Sequence, residues 1–129
     1  MPNNKQIPIT IVPNIQTICL EERTFQCAKN VSLYIKKFSR TIPNIEYGKQ
    51  VVRASGSVGA NYIETNEALS KKDFIMRMKL CRKEAKESAY WLRLIVETND
   101  KKYTEDGTKH CKETTESKKI FSSILGKSK

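Results

Sequence analysis

The chain has 129 residues, 38% hydrophobic and 29% charged, which predicts a single domain with a modest core. Its uninterrupted apolar stretches run to only a few residues, far short of the roughly 20 that a membrane-spanning helix needs, so no transmembrane segment is expected. Lys and Arg number 24 against 14 Asp and Glu, and the resulting net charge of +10 points to a polyanionic partner, of which nucleic acid is the commonest inside a cell. A basic protein with no such partner carries the same balance, because net charge speaks to association and not to chemistry.

The opening MPNNKQIPIT lacks the basic start and apolar run of a secretory signal, so an intracellular, cytoplasmic protein is expected. Pro2, Pro8 and Pro13 recur through residues 1–16, which excludes a helix there and predicts an extended or mobile tail. The bundle domain is then expected over 17–125, followed by a basic tail over 126–129. A first helix is predicted from about residue 20 to 39, with Phe25, Ala28, Val31 or Ser32, Ile35 and Phe38 on one face. Thr41, Ile42, Pro43 and Asn44 break it, since proline disfavours helical geometry in the residue before it.

A second helix is predicted from about Asn44 to Leu69, with Ile45, Gly48, Val51, Ser55, Val58, Tyr62 and Leu69 near one seam. Its centre, Ser55-Gly56-Ser57-Val58-Gly59-Ala60, contains two glycines that each cost a helix about 1 kcal/mol relative to alanine. Close helix approach across small residues offsets that cost. A phosphate-cradling loop would instead need GxGxxG or GxxxxGK[ST] between a strand and a helix, and neither pattern occurs. Gly56, Gly59 and Ala60 are therefore candidate packing or assembly positions.

Ser70-Lys71-Lys72-Asp73 is a variant capping box that opens a third helix running to about Thr98. Phe74, Met78, Cys81, Ala85, Ser88, Leu92 and Ile95 follow the alternating steps of four and three of a heptad seam. Beyond Asn99-Asp100-Lys101-Lys102 the pattern weakens, and only Ile120, Phe121, Ile124 and Leu125 make a short apolar face. A fourth helix of undefined start, ending before Gly126, is expected. With no strand signal of comparable strength, the fold class is all-α, an antiparallel up-and-down four-helix bundle.

Two further rows run along the third helix. Lys72, Met76, Lys79, Lys83, Lys86, Tyr90 and Arg93 each lie two residues from a seam position, about 200° around the helix, and so face outward. Solvated helix faces usually mix signs, whereas this row contains no acid. Its five cations span about 30 Å and are candidates for phosphate contacts along an RNA, with Tyr90 able to stack on a base. Nothing in the row resembles a base-reading code, so phosphate and shape recognition is the expectation. Lys37, Arg40, Lys127 and Lys129 are possible extensions. The other row, Arg77, Leu80, Glu84, Glu87, Trp91 and Leu94, is either a broad core face or a subunit interface in which Arg77 pairs with Glu84 or Glu87.

No catalytic or metal constellation emerges. Glu64-x-x-Glu67 and Glu84-x-x-Glu87 resemble paired carboxylates of magnesium-dependent hydrolases, but a turn near residue 69 sets Glu84 roughly 18 Å beyond Glu67. Cysteines at 19, 27, 81 and 111 have neither a short-spaced pairing nor a secretory context, so reduced thiols are expected. The single His110 beside Cys111 lacks further ligands at finger spacing. No cofactor and no enzymatic activity are expected.

The segments RASGSVGANYIE and KEAKESAYWLRL, within a match over about residues 23–96, resemble the four-helix bundle proteins encoded by intervening sequences of large-subunit ribosomal RNA genes. Ser57, Val58, Gly59, Ala60, Asn61, Ile63 and Glu64 match that family's second-helix signature, and Glu84, Tyr90, Trp91 and Leu92 its third-helix signature. The resemblance implies a left-handed up-and-down bundle, self-association into a homopentameric ring, no established enzymatic activity, and nucleic-acid binding through a basic surface. A related family, the basic accessory protein of diversity-generating retroelements, binds a reverse transcriptase. The expected function is thus non-enzymatic binding of structured RNA, with a protein-binding scaffold as the alternative.

Overall fold

The computed structural model describes residues 19–128. The tail expected over 1–16 lies outside them. Four helices, α1 (Leu20–Ile35), α2 (Ile42–Asn66), α3 (Lys71–Thr98) and α4 (Thr104–Ser128), follow one another with a short 3-10 turn at Lys101–Tyr103 before the last. Each helix packs on the next and α4 returns to α1, so the layers close as a four-helix bundle with no strand among the described residues.

Antiparallel register between α2 and α3 is visible in their cross-contacts. Arg53 meets Glu84 and Glu87, Thr65 lies beside Cys81, and Glu64 reaches Arg77. At the far end the side-chain amides of Asn44 and Asn99 donate to one another's oxygens at 3.1 and 2.8 Å, closing the start of α2 onto the end of α3.

Local chemistry sets the helix ends. Ser70 Oγ accepts from the Asp73 amide at 3.0 Å, so the predicted N-cap forms and α3 keeps its predicted span, while the Asp73 carboxylate reaches back one residue further than in a standard capping box and accepts from the Leu69 amide at 3.4 Å. Thr41 Oγ1 accepts from the Asn44 amide at 3.3 Å, and Pro43 sits in the first turn of α2, where a missing N–H leaves nothing unsatisfied. The proline therefore opens the helix at Ile42 instead of delaying it to Asn44. Helices α1 and α2 end earlier than expected, at Ile35 and Asn66, because their last amides tighten onto carbonyls three residues back. Leu69, expected in the seam, is 96% exposed in the turn.

The seam of α3 is buried from Met78 to Ile95, as its heptad spacing predicts. On α1 the buried face is the expected one in part. Val31 is buried and Ile35 and Phe38 pack against the core as expected, but Leu20, Thr24 and Tyr34 also point inward and Phe25 is 60% exposed. The reason is close approach to α2: a Cβ at Gly59 would stand 3.0 Å from Thr24 Oγ1, so a small residue must face a small one there. Thr24 donates to the Leu20 carbonyl at 2.8 Å and is thereby satisfied in the core. Turning Thr24 inward rotates Phe25 about 100° away. Gly56 and Ala60, also expected at a close contact, face solvent within the protomer, and nothing lies within 4 Å of a Cβ built on Gly56.

The largest departure from expectation is α4, which runs for 25 residues through the polar stretch and on past Gly126 to Ser128. Its buried positions are Gly107, Thr114, Ser117, Phe121 and Leu125. The first three are small or polar, which hides the core stripe from a hydrophobicity pattern. A Cβ on Gly107 would collide with the Tyr34 hydroxyl and Val96 Cγ2, so glycine is what lets α4 lie against both α1 and α3. Tyr34 donates to the Tyr103 carbonyl at 2.9 Å, and its ring meets Phe38 and His110 at centroid distances of 4.9 and 5.0 Å. Arg23 and Glu113 add a two-pronged α1–α4 ion pair, at 2.6 and 3.1 Å.

Two apolar clusters fill the interior, one around Met78, Phe121 and Leu125 and the other around Tyr34, Val51 and Leu92. All four cysteines are free thiols. Burial pushes Cys27 up to about 12 and Cys81 to about 11, so both remain protonated and unreactive at neutral pH.

Substituting Gly107→Ala should lower the melting temperature, at a cost of about 1–3 kcal/mol from overpacking. Gly56→Ala, in open space on a helix interior, should raise stability by about 1 kcal/mol. Thermal denaturation of the two variants checks both signs. Burial lowers the His110 pKa, with Lys37 and Lys109 adding to the shift and Asp106 opposing it. The unfolded chain therefore takes up a proton more readily than the folded one, and stability should fall as pH drops through 6.5. Denaturant titrations between pH 7.5 and 5.5 should show this slope, and His110→Gln should flatten it.

Candidate nucleic-acid interface

Helix α3 presents three distinct faces once its seam is buried. Every member of the predicted outer row, Lys72, Met76, Lys79, Lys83, Lys86, Tyr90 and Arg93, is solvent-exposed. Tyr90 is 59% exposed, and its ring packs edge-on against Trp91 at 5.1 Å, which leaves a flat surface for stacking. Arg93 donates to Glu97 at 3.1 Å and is partly neutralised. Among the described residues, Lys72, Lys79, Lys83 and Lys86 form no ion pair.

Glu84 and Glu87 of α3 are turned to its other flank, toward α2. There Arg53 of α2 donates to Glu87 at 2.6 Å and to Glu84 at 3.4 Å, and the Trp91 indole N–H also donates to Glu87 at 3.1 Å. The Trp91 hydrogen bond, then the Arg53 contact, hold the Glu87 carboxyl below the usual carboxylate range against the opposing cost of burial. Tyr47 of α2 covers Trp91, with ring centroids 5.9 Å apart. Leu80 and Leu94 complete this half-buried flank. The row is thus largely engaged within the protomer. Arg77 does not pair with Glu84 or Glu87 here, because about two and three turns of helix separate them and nearer acids compete. It bonds Asp73 at 3.0 Å and lies 3.9 Å from Glu64. Arg53, the actual partner, escaped the sequence pattern because it comes from the neighbouring helix.

Two more cations belong to the basic face. A shallow groove of about 430 Å³ between α3 and α4 is lined by Lys79, Arg82, Lys83, Lys86, Lys118 and Ser122. Arg82 sits off the outer row toward α4, and Lys118 arrives from a helix whose course the sequence left undefined. Both are half-buried and line the groove. Lys37, a suggested extension, is instead paired with Asp106 at 3.3 Å.

Glu64 stands level with Arg77 and not with Glu84, so the two carboxylate pairs remain apart along the hairpin. Among the described residues no three His, Cys, Asp or Glu side chains gather as a metal-ligand set, and no helix is long and apolar enough to cross a membrane.

This arrangement, a four-helix bundle with the matched signatures on α2 and α3, agrees with a family model described as 23S rRNA-intervening sequence protein, which matches residues 20–123. The chain belongs to that family. It is also similar to a crystal structure of a protein with unknown function from the S23 ribosomal protein family of Bacteroides thetaiotaomicron VPI-5482, at 30% identity and a TM-score of 0.69. That match covers 81% of this chain and 96% of the other. No curated protein matches the chain. The family match takes in α1 to α3 entire and α4 through Ser123, so it includes both walls of the basic groove.

Proposed function

We propose that this protein is a non-enzymatic, cytoplasmic RNA-binding bundle that contacts the phosphates of structured RNA through its α3 face. The observation that carries the proposal is charge segregation on α3: the acids Glu84 and Glu87 are held by Arg53, while Lys72, Lys79, Lys83 and Lys86 are exposed and form no ion pair among the described residues. Unneutralised cations in a row repel one another and are relieved by a polyanion, whose bound counterions are released on association. The family's link to 23S rRNA makes ribosomal RNA or its precursor the first RNA to test.

A second reading, a scaffold that docks a protein or further copies of itself, is favoured by apolar surface elsewhere. An open groove of about 500 Å³ on α1 and α2 includes Ile35, Phe38, Ile45 and Val52, and Phe25 and Ile63 are exposed on the same two helices. Self-association into a homopentamer is the form of this reading that the family resemblance implies, and the apolar α1–α2 surface is what further copies would cover.

Titrating structured ribosomal RNA with the protein across a salt series, at an oligomeric mass fixed by light scattering, tests the proposal. Binding should weaken steeply with salt, and the Lys79→Ala, Lys83→Ala, Lys86→Ala triple variant should lower the log–log slope by about 2 to 3. An unchanged affinity and slope in the variant, or no binding by the wild type at low salt, overturns the proposal and moves the scaffold to first place.

A further inference from the structure

The outer row of α3 is convex and distributes its charge along one helix, whereas the α3–α4 groove is concave and gathers cations from two. We propose that the phosphodiester backbone of a bound RNA strand seats in this groove, with Arg82 and Lys118 as its anchoring contacts and Lys79, Lys83 and Lys86 around them. The inference rests on the RNA-binding proposal above and sharpens it to a place and to two residues that lie off the outer row.

Three observations support the seat. First, none of its five cations forms an ion pair among the described residues, although acids are close in sequence. Glu84 and Glu87 face α2, and Glu116 of α4 is taken by Lys119 at 3.6 Å. Secondly, Arg82 and Lys118 are half-buried while Lys79, Lys83 and Lys86 are exposed. A half-buried side chain has already lost part of its rotamer freedom on folding, so these two give up less entropy when they bind than exposed surface lysines do. Arg82 also offers a planar fork that matches two phosphate oxygens at once. Thirdly, the groove is the right length for a strand: Lys79 to Lys86 spans about 10 Å of helix, or roughly three phosphates of one strand of a duplex.

The ends of the outer row differ in each respect. Lys72 and Arg93 each lie seven residues beyond the groove's cations, are exposed, and Arg93 is already bonded to Glu97. They contribute long-range attraction but no seat.

The test compares two double variants that remove the same charge. Arg82→Gln with Lys118→Gln should weaken RNA binding about tenfold or more, as expected for loss of charge-assisted hydrogen bonds, while Lys72→Gln with Arg93→Gln should weaken it about threefold or less. Helical circular dichroism and melting of each variant confirm that the bundle is intact. Should the first variant fail to fold, Arg82→Lys replaces it, and an affinity loss of about threefold at an unchanged salt slope is then expected. Equal losses in the two double variants, or wild-type affinity in Arg82→Lys, overturn the seat and leave RNA binding standing. If the wild type binds no RNA, the functional proposal itself fails. Sodium tripolyphosphate then decides the seat separately: resonances of Arg82 and Lys118 should shift most, and shifts centred on Lys72 and Arg93 overturn it.

Discussion

The contact of Gly107 with Tyr34 and Val96 is the constraint on which the rest of the molecule depends. The first part of α4 carries almost no large apolar side chains, so hydrophobic burial alone does not hold it against the bundle. Backbone proximity does so instead. With no Cβ at position 107, α4 comes close enough for the Tyr34 hydroxyl to reach the Tyr103 carbonyl and for the Arg23–Glu113 pair to close across α1 and α4. Phe121 and Leu125 are then delivered into the core formed by α2 and α3. A helix seated in this way provides the second wall of the basic groove.

Electrostatics in the bundle follow from which helix lies on which side of α3. On the α2 side, Arg53 sits opposite two carboxylates, Tyr47 and Trp91 shield the pairs, and opposite charges compensate locally. On the α4 side, cations face cations. Lys118 and Arg82 line one groove whose lining holds no acid. Five cations from two helices are thus gathered at one groove, which gives the charge of this face a direction.

The glycines of the chain illustrate how residue type and place separate. Gly59 and Gly107 each lie at a close approach, against Thr24 in one case and Tyr34 in the other, whereas Gly56 lies in open space three residues from Gly59. Within the protomer Gly56 lowers helix stability without a compensating contact. Its neighbours on the exposed side of α2, Val52, Ala60 and Ile63, form the apolar strip that the scaffold reading would cover.

The sequence was enough for the span of α3, its N-cap, its buried seam and its exposed basic row, because all of these are set by residue spacing within one helix and by hydrogen bonds within one turn. It also determined the helical class and the α2–α3 hairpin. Whatever depends on a neighbouring helix was settled by packing. Thr24 displaced Phe25 from the inner face of α1 because α2 approaches closely there, a fact absent from the periodicity of α1. Small and polar residues became the core stripe of α4 because α1 and α3 were already in place to cover them. Arg53 claimed Glu84 and Glu87, and Lys118 joined Arg82, because helices distant in sequence meet at those levels. Periodicity reports which way a side chain points from its own helix axis, and the identity of whatever it then meets is fixed only when the helices pack.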